Sequence, residues 1–237
     1  MTGVLSSDVV EKLVGFIGYG PPKPEVVFLG IEEAGGGDAN ILARAQHFDG
    51  IEDLYGAHEK LERYASVANP FKKRGNPVQQ WNTAAVFALA LAEGDLSLWP
   101  SFWRKHLGRR DGQTFLMEKY PVPRSTTSFR VSGYRPNDLW RKRAPILKTF
   151  LDQANPRFVV AYGAPAHEAV ADFFTIPRWL SVAGTPWSVG TATTGVVVAR
   201  VGFFGQGRFD RAHVPSIAAQ MRQAAGRRAD LRLAAAP

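Results

Sequence analysis

The chain has 237 residues, of which 45% are hydrophobic and 21% are charged, the composition of an ordinary globular protein. It contains no cysteine, which excludes disulfides, thiol catalysis, iron–sulfur clusters and cysteine-bound zinc. No apolar run approaches the roughly 18–20 residues of a membrane span, and the first residues lack the basic region of a secretory signal. We therefore expect a soluble cytoplasmic protein without a membrane partner.

Charge is distributed unevenly along the chain. The net charge is +8; residues 1–100 carry 8 basic and 13 acidic side chains, whereas residues 101–237 carry 21 basic and 8 acidic ones. Of those 21 basic residues, 17 are arginines, whose planar fork binds phosphate. The charge predicts a polyanionic partner, DNA or another nucleic acid. A basic face that is only solvated is the alternative.

Helical patterns and apolar runs alternate along the chain. Helices are predicted over 6–17, in two short pieces within 38–66, and over 77–92, 99–107, 137–154, 164–174 and 212–225. Strands are predicted over 25–31, 114–120, 157–162 and 195–201, with a short edge strand within 178–190. This alternation is typical of a parallel sheet covered on both faces. We expect an α/β fold, a three-layer α/β/α sandwich with a central, mostly parallel four-stranded sheet.

The spacing of the predicted elements indicates one domain. Residues 1–226 would form it, with a helical insertion around 38–107 because about 80 residues separate the first two predicted strands. Residues 227–237 would form a basic, frayed tail. In open α/β sheets the ligand lies at the carboxyl ends of the strands, which places the site at residues 32–37, 119–124, 163–166 and 202–207.

At two of these strand ends, glycines lie next to groups that can bind a ligand: two carboxylates at one end and a helix N-terminus at the other. Glu32 and Glu33 precede three glycines, so two carboxylates would stand beside a backbone open to close approach. The alternative is a turn that caps the next helix. Gly163 joins a strand directly to a helix, whose N-terminus favours an anion; a tight turn is the alternative there.

Aromatic and basic residues follow the last predicted strand. In GFFGQGRF the rings would stack on bases and Arg208 and Arg211 would hold phosphates, with aromatic core packing as the alternative. Short basic groups such as Lys72-Lys73 would track a phosphate backbone or be solvated. Five histidines are scattered without metal-ligand spacing, so neither a metal nor a cofactor is expected.

Taken in order, these segments resemble the uracil-DNA glycosylase superfamily. FLGIEEAGG resembles the opening motif, with Glu32 at the position of the water-activating residue and Glu33 in place of the usual proline. Asn69-Pro70-Phe71 resembles the Pro-Phe whose ring stacks on the flipped base, with Phe48 as a second candidate ring. MEKYPVPR, RFVVAYGAPA and GFFGQGRF are similar to the later strand-end segments of the family.

The resemblance implies a set of site residues. The catalytic residues would be Glu32, Glu33 and His213. The substrate-binding residues would be Gly30, Gly35, Phe71, Tyr162, Gly163, Phe204 and Gln206. The nucleic-acid-binding residues would be Lys72, Lys73, Arg124, Arg208 and Arg211. The family's last motif is His-Pro-Ser directly after the fourth strand, whereas here His213-Val214-Pro215-Ser216 follows some ten residues later.

The function implied is that of a nucleic-acid-binding protein of this fold. It would excise a damaged or deaminated base weakly by N-glycosidic hydrolysis, because the displaced histidine removes the usual stabiliser of the leaving base. Two other functions stay open: a non-catalytic nucleic-acid or nucleotide-binding module on the same fold, and a metabolic α/β enzyme acting on a small substrate.

Overall fold

The computed structural model describes residues 5–31, 37–73, 78–122, 136–205 and 209–226. Several predicted site residues lie outside these ranges: Glu32, Glu33, Gly35, Arg124, Gln206 and Arg208. The predicted tail, residues 227–237, lies outside them as well.

Helices occupy much of the described chain. The α-helices are α1 (Ser7–Gly15), α2 (Asp38–His47), α3 (Leu54–Ala65), α4 (Gln79–Leu91), α5 (Trp99–Lys105), α6 (Pro136–Ala154), α7 (Ala164–Phe173) and α8 (Val214–Ala224). Short 3-10 helices span Pro70–Lys72, Leu96–Leu98 and Arg211–His213. Side-chain caps begin several of them: Ser6 accepts from the Val9 N–H ahead of α1, and Asp53 from the Gly56 N–H ahead of α3.

The strands form one mixed sheet. They are β1 (Gly18–Tyr19), β2 (Val26–Gly30), β3 (Ile51–Glu52), β4 (Thr114–Glu118), β5 (Phe158–Tyr162), β6 (Trp179–Ser181), β7 (Ser188–Thr191) and β8 (Val197–Val201). Their order is β3-β1-β4-β2-β5-β8-β7-β6. Strands β4, β2, β5 and β8 pair in parallel, whereas β1 joins β4, and β7 joins both β8 and β6, in antiparallel pairs.

In the described residues the sheet has eight strands, more than the four central strands and one short edge strand that the sequence predicts. Strands β1 and β3 have two residues each, too few to show any periodicity in the sequence. Strands β6 and β7 form a hairpin where the sequence predicts a loop and one short edge strand. Strand β7 is less apolar than the central strands because it contains Ser188, Gly190 and Thr191. A search for apolar runs therefore does not detect it.

The central strands are buried on both faces. Val26 and Phe28 of β2 pack in one hydrophobic cluster with α4 and α8, whereas Val27 and Leu29 pack in another with α6 and α7. Side chains of a strand point alternately to the two faces of a sheet, so helices cover both faces. This explains why β2 is apolar throughout.

A buried arginine connects three elements at one end of the sheet. Arg143 of α6 is 1% exposed. Its guanidinium donates to the backbone carbonyls of Val14 at 2.9 Å and of Phe16 beyond the end of α1. Its Nε donates to the carbonyl of Glu118, the last residue of β4, at 3.1 Å. Arg143 thereby fixes the end of β4 relative to α1 and α6.

The described α-helices range from the 7 residues of α5 to the 19 residues of α6. Across the ranges given above, none of them is long and apolar enough to cross a membrane.

Candidate functional site

A cleft of about 210 Å³ reaches the carboxyl ends of β4 and β5. Strands β1 and β4 contribute Tyr19, Leu116 and Glu118 to its lining, and the last residue of β5, Tyr162, closes one side. Helices α2, α3 and α6 and the start of α4 add further residues to the lining, and so do the segments around Pro70 and Tyr120. The cleft therefore lies near the sheet edge where ligands bind in open α/β folds.

One wall of the cleft presents a fixed guanidinium. Arg44 of α2 is 5% exposed. Its Nε donates to Oδ1 of Asn40 at 2.6 Å, and one terminal nitrogen donates to the Tyr19 hydroxyl at 2.6 Å. The guanidinium also lies 5.2 Å from the centre of the Phe48 ring. Since Asn40 and Arg44 are four residues apart, they share one face of α2.

A fixed carboxylate forms another part of the cleft lining. The Tyr162 hydroxyl donates to Oε1 of Glu118 at 2.9 Å, and both side chains line the cleft. The Tyr162 ring stacks on Phe204, with centroids 4.3 Å apart and planes within 5°. A Cβ at Gly30 would collide with the Glu118 carboxylate and the Tyr162 hydroxyl. Gly30 therefore makes room for this pair.

Phe71 lies in an aromatic cluster beside the cleft. Its ring centroid is 5.2 Å from Tyr55, 5.5 Å from Trp81 and 5.2 Å from Trp103. Of the described residues, Pro70 and Trp81 line the cleft but Phe71 does not. The structure thus places Phe71 one layer behind Trp81. The second candidate ring, Phe48, packs against Phe16 at 5.3 Å.

Basic side chains gather around the short helix α5. Arg104 donates to the carbonyls of Phe71 at 3.0 Å and Lys73 at 3.3 Å. Near the other end of α5, the Arg211 guanidinium lies 5.6 Å from the centre of the Trp99 ring. We define the basic ridge as Lys72, Lys73, Arg104, Lys105 and Arg211. Three predicted nucleic-acid-binding residues, Lys72, Lys73 and Arg211, thus lie at the two ends of one helix.

Lys72 is the ridge residue with a defined charge partner. Its Nζ donates to the Glu62 carboxylate, and this hydrogen bond raises the pKa of Lys72 above its ordinary value. Both side chains are exposed, so a phosphate can compete for the lysine.

The other predicted residues occupy separate positions. Gly163 joins β5 to α7 with φ of +91°, and a Cβ there would lie 2.8 Å from Cδ1 of Ile31. Phe204 is 1% exposed, between Tyr162 and Phe87. His213 is half-buried where the Arg211–His213 helix meets α8, and it is not among the described residues that line the cleft.

Helix α7 places a second half-buried histidine, His167, behind the end of β8. Nε2 of His167 lies 2.8 Å from the Val201 carbonyl, and burial lowers the pKa of His167. The next residue, Glu168, forms an ion pair at 2.9 Å with the buried Lys119 beyond β4. These contacts attach α7 to the strand ends on the face away from the cleft.

The polar residues of the cleft were missed in the sequence. The spacing of four between Asn40 and Arg44 indicates that they share one helix face, and the position of Glu118 at the end of an apolar strand indicates a strand-end site. These patterns could have identified the three residues. Trp81 shows no such pattern, because a tryptophan in an apolar helix is usually core.

Metal ligands and known relatives give no further assignment. Within the described ranges, no group of three or more His, Asp or Glu side chains is arranged to hold a metal ion. The sequence matches no protein-family model, and comparison with curated proteins finds no match either. The cleft and the basic ridge are therefore the basis for inferring function.

Proposed function

We propose that the protein binds nucleic acid along the basic ridge and receives one extruded base in the cleft. The observation that carries this proposal is that the two features share a segment. Pro70 lines the cleft, and Lys72 and Lys73 follow it immediately on the ridge. A strand whose phosphates contact the ridge would hold its bases at the mouth of the cleft.

The dimensions and chemistry of the cleft favour a single base. Its volume of about 210 Å³ is below the roughly 300–1,000 Å³ of sites for drug-sized ligands. Flipped bases are held by stacking on side chains and by hydrogen bonds to their edges. Trp81 and Tyr162 supply rings, and Asn40, Gln80 and Glu118 supply hydrogen-bonding groups.

A second function, hydrolysis of the N-glycosidic bond, is favoured by the carboxylate in the cleft. Glu118 would stabilise the positive charge that develops on the sugar. The resemblance to uracil-DNA glycosylases supports the same reaction with Glu32 as the residue that orients water. Because His213 is not among the described lining residues, we expect any excision of uracil to be slow.

Binding is tested by fluorescence anisotropy with labelled single-stranded and duplex oligonucleotides between about 50 and 200 mM salt. We expect a log–log slope of about −4 to −5 for duplex DNA, from roughly four to six phosphate contacts. Lys73→Glu and Arg211→Glu should each weaken binding and make the slope shallower. Lys148→Glu on α6, which packs on the other face of the sheet, is the matched control. Affinity that is independent of salt would contradict the proposal.

Hydrolysis is tested separately with duplex and single-stranded oligonucleotides that carry uracil or other altered bases, followed by cleavage at abasic sites. Slow release that Glu118→Gln or Glu32→Gln abolishes would assign the reaction and its carboxylate. Tight binding without release from any substrate would identify a non-catalytic binding module. Rapid release of uracil would contradict the expectation drawn from His213.

A further inference from the structure

We infer that the cleft selects a base that carries an exocyclic amino group, and that Glu118 makes this selection. The inference rests on the proposed nucleic-acid-binding function and names the class of base. This preference differs from that of a cleft built for uracil. Uracil has no amino group, and carbonyl oxygens lie on both sides of its single ring N–H.

The Glu118 carboxylate is held from several directions. Its Oε1 accepts the Tyr162 hydroxyl at 2.9 Å, and Tyr162 is itself fixed by stacking on the buried Phe204. The Glu118 main chain is fixed too, because its carbonyl accepts from Nε of Arg143 at 3.1 Å. Groups whose orientation is set before the ligand arrives discriminate best.

The space for this carboxylate is provided by Gly30. Any side chain at position 30 would collide with both Glu118 and Tyr162. Strands β2 and β4 pair Gly30 directly with Glu118, so the carboxylate lies across the end of the neighbouring strand. The arrangement is therefore part of the sheet register rather than a chance contact between surface side chains.

A carboxylate supplies hydrogen-bond acceptors only. The amino groups of cytosine, adenine and guanine donate, and glutamate pairs with the amino group of cytosine in known recognition. A uracil or thymine edge has one donor, its N3–H, flanked by two carbonyl oxygens. Pairing that N–H with Glu118 brings a carbonyl oxygen against the carboxylate, and two acceptors that face each other in a cleft lose their water without gaining a bond. The geometry thus favours amino-bearing bases by repelling the others.

The test uses duplexes of one sequence with a single central bulged nucleotide: cytosine, adenine, guanine, uracil or thymine. An unpaired bulge lowers the free-energy cost of extruding the base in every duplex. Differences in affinity, measured by competition anisotropy, therefore report on the contacts that each base makes in the cleft. We expect the wild-type protein to bind the amino-bearing bulges about tenfold more tightly than uracil or thymine.

Three variants separate recognition from structure. Glu118→Gln replaces an acceptor with a donor and an acceptor, so it should abolish the preference and improve binding of the uracil bulge. Tyr162→Phe keeps the ring stack and removes the hydroxyl, so it should reduce the preference severalfold. Asp152→Asn changes an exposed carboxylate on α6, which packs on the other face of the sheet, and should leave the preference unchanged.

The outcomes distinguish this inference from the proposal on which it rests. Binding of all five duplexes with equal affinity overturns the inference alone. A preference that persists unchanged in Glu118→Gln does the same, and if that variant fails to fold, a full preference in Tyr162→Phe overturns it. Failure of the wild-type protein to bind any duplex overturns the proposed function, and the inference with it.

Discussion

The two flanks of the sheet differ in what they bury. On the flank of β4, β1 and β3 the interior contains buried charged side chains, whereas on the flank of β8, β7 and β6 it is mainly apolar and the one charged residue of β8, Arg200, is half-buried. The described side chains that are both buried and polar or charged all lie between residues 40 and 143: Asn40, Arg44, Glu52, Asn69, Asn82, Thr83, Thr114, Lys119 and Arg143. The strand β8 buries Val197, Val198, Ala199 and Val201 completely.

The two flanks therefore differ in the free-energy cost of burying their side chains. Burying a polar group costs free energy unless it is hydrogen-bonded, and burying a charge costs more. Hydrogen bonds offset that cost for both buried arginines: Arg44 donates to Asn40 and Tyr19, and Arg143 donates to backbone carbonyls. The cleft lies on the polar flank, and this coincidence is the reason for proposing that flank as the functional side of the molecule.

The largest expected effect tests the polar flank. Arg143→Leu removes the donor that serves the carbonyls of Val14, Phe16 and Glu118. Buried carbonyls without donors should lower the free energy of unfolding by about 3–5 kcal/mol, measured by urea denaturation. Arg141→Leu is the control, because its side chain is 80% exposed and should change stability by about 0.5 kcal/mol or less. Equal effects would mean that the buried guanidinium is not a structural tie.

A second substitution tests the packing of the carboxylate. Gly30→Ala places a methyl group against Glu118 and Tyr162, and such overpacking should cost about 2–3 kcal/mol. The same variant should lose any preference for amino-bearing bases. Gly15→Ala has open space around the new methyl group and should be neutral or slightly stabilising. Thermal unfolding of the two variants makes the comparison; a stable Gly30→Ala would show that the carboxylate has room to move.

A third substitution separates packing from ligand stacking at Phe71. The ring is half-buried among Tyr55, Trp81 and Trp103, so Phe71→Ala should destabilise the protein by about 2 kcal/mol. Tyr64→Ala, at a ring that is 50% exposed, is the control. If Phe71→Ala abolished binding of nucleic acid at unchanged stability, the ring would contact the ligand directly, as the family resemblance implies.

The smallest expected effect lies on the apolar flank and depends on pH. Burial lowers the pKa of His167 below its ordinary value of 6.5, so the folded protein favours the neutral ring. Below about pH 6.5 the unfolded chain binds more protons than the folded protein, and stability falls as the pH falls through the folded pKa. His167→Gln should flatten this decline in urea midpoints.

The pH experiment has an internal reference. Burial also lowers the pKa of His106, so part of the decline should remain in His167→Gln. A decline of the same size in the wild-type protein and the variant would show that the ring of His167 is not responsible. The decline would then belong to other groups, among them His106.

The sequence predicts the long apolar elements best. The runs at 25–31, 114–120, 157–162 and 195–201 contain β2, β4, β5 and β8, because strands buried on both faces must be apolar throughout. The two-residue strands β1 and β3 exist only because β4 and its neighbours supply partners for them. Pairing between distant segments leaves no local pattern, so these strands could not be predicted.

Of the candidate site, the sequence indicates only the location. The rule that ligands lie at strand ends points to Tyr162, which lines the cleft; its role in binding stays a prediction. Asn40, Arg44 and Trp81 come from helices, and their inward direction depends on how those helices pack. The roles of Glu32, Glu33, Gly35 and Gln206 stay predictions, since these residues lie outside the described ranges.

The ends of the strand order have a consequence for handling the protein at high concentration. The two outermost strands are short: β3 has two residues and β6 has three. The carbonyls of Leu180 and Ser181 on β6 accept from the Gln220 side chain of α8. Long open edges nucleate growth of one sheet onto another, and short or covered edges resist it. Because these edge strands are short or covered, they expose few unpaired backbone N–H and C=O groups, and we expect little edge-to-edge aggregation of the protein.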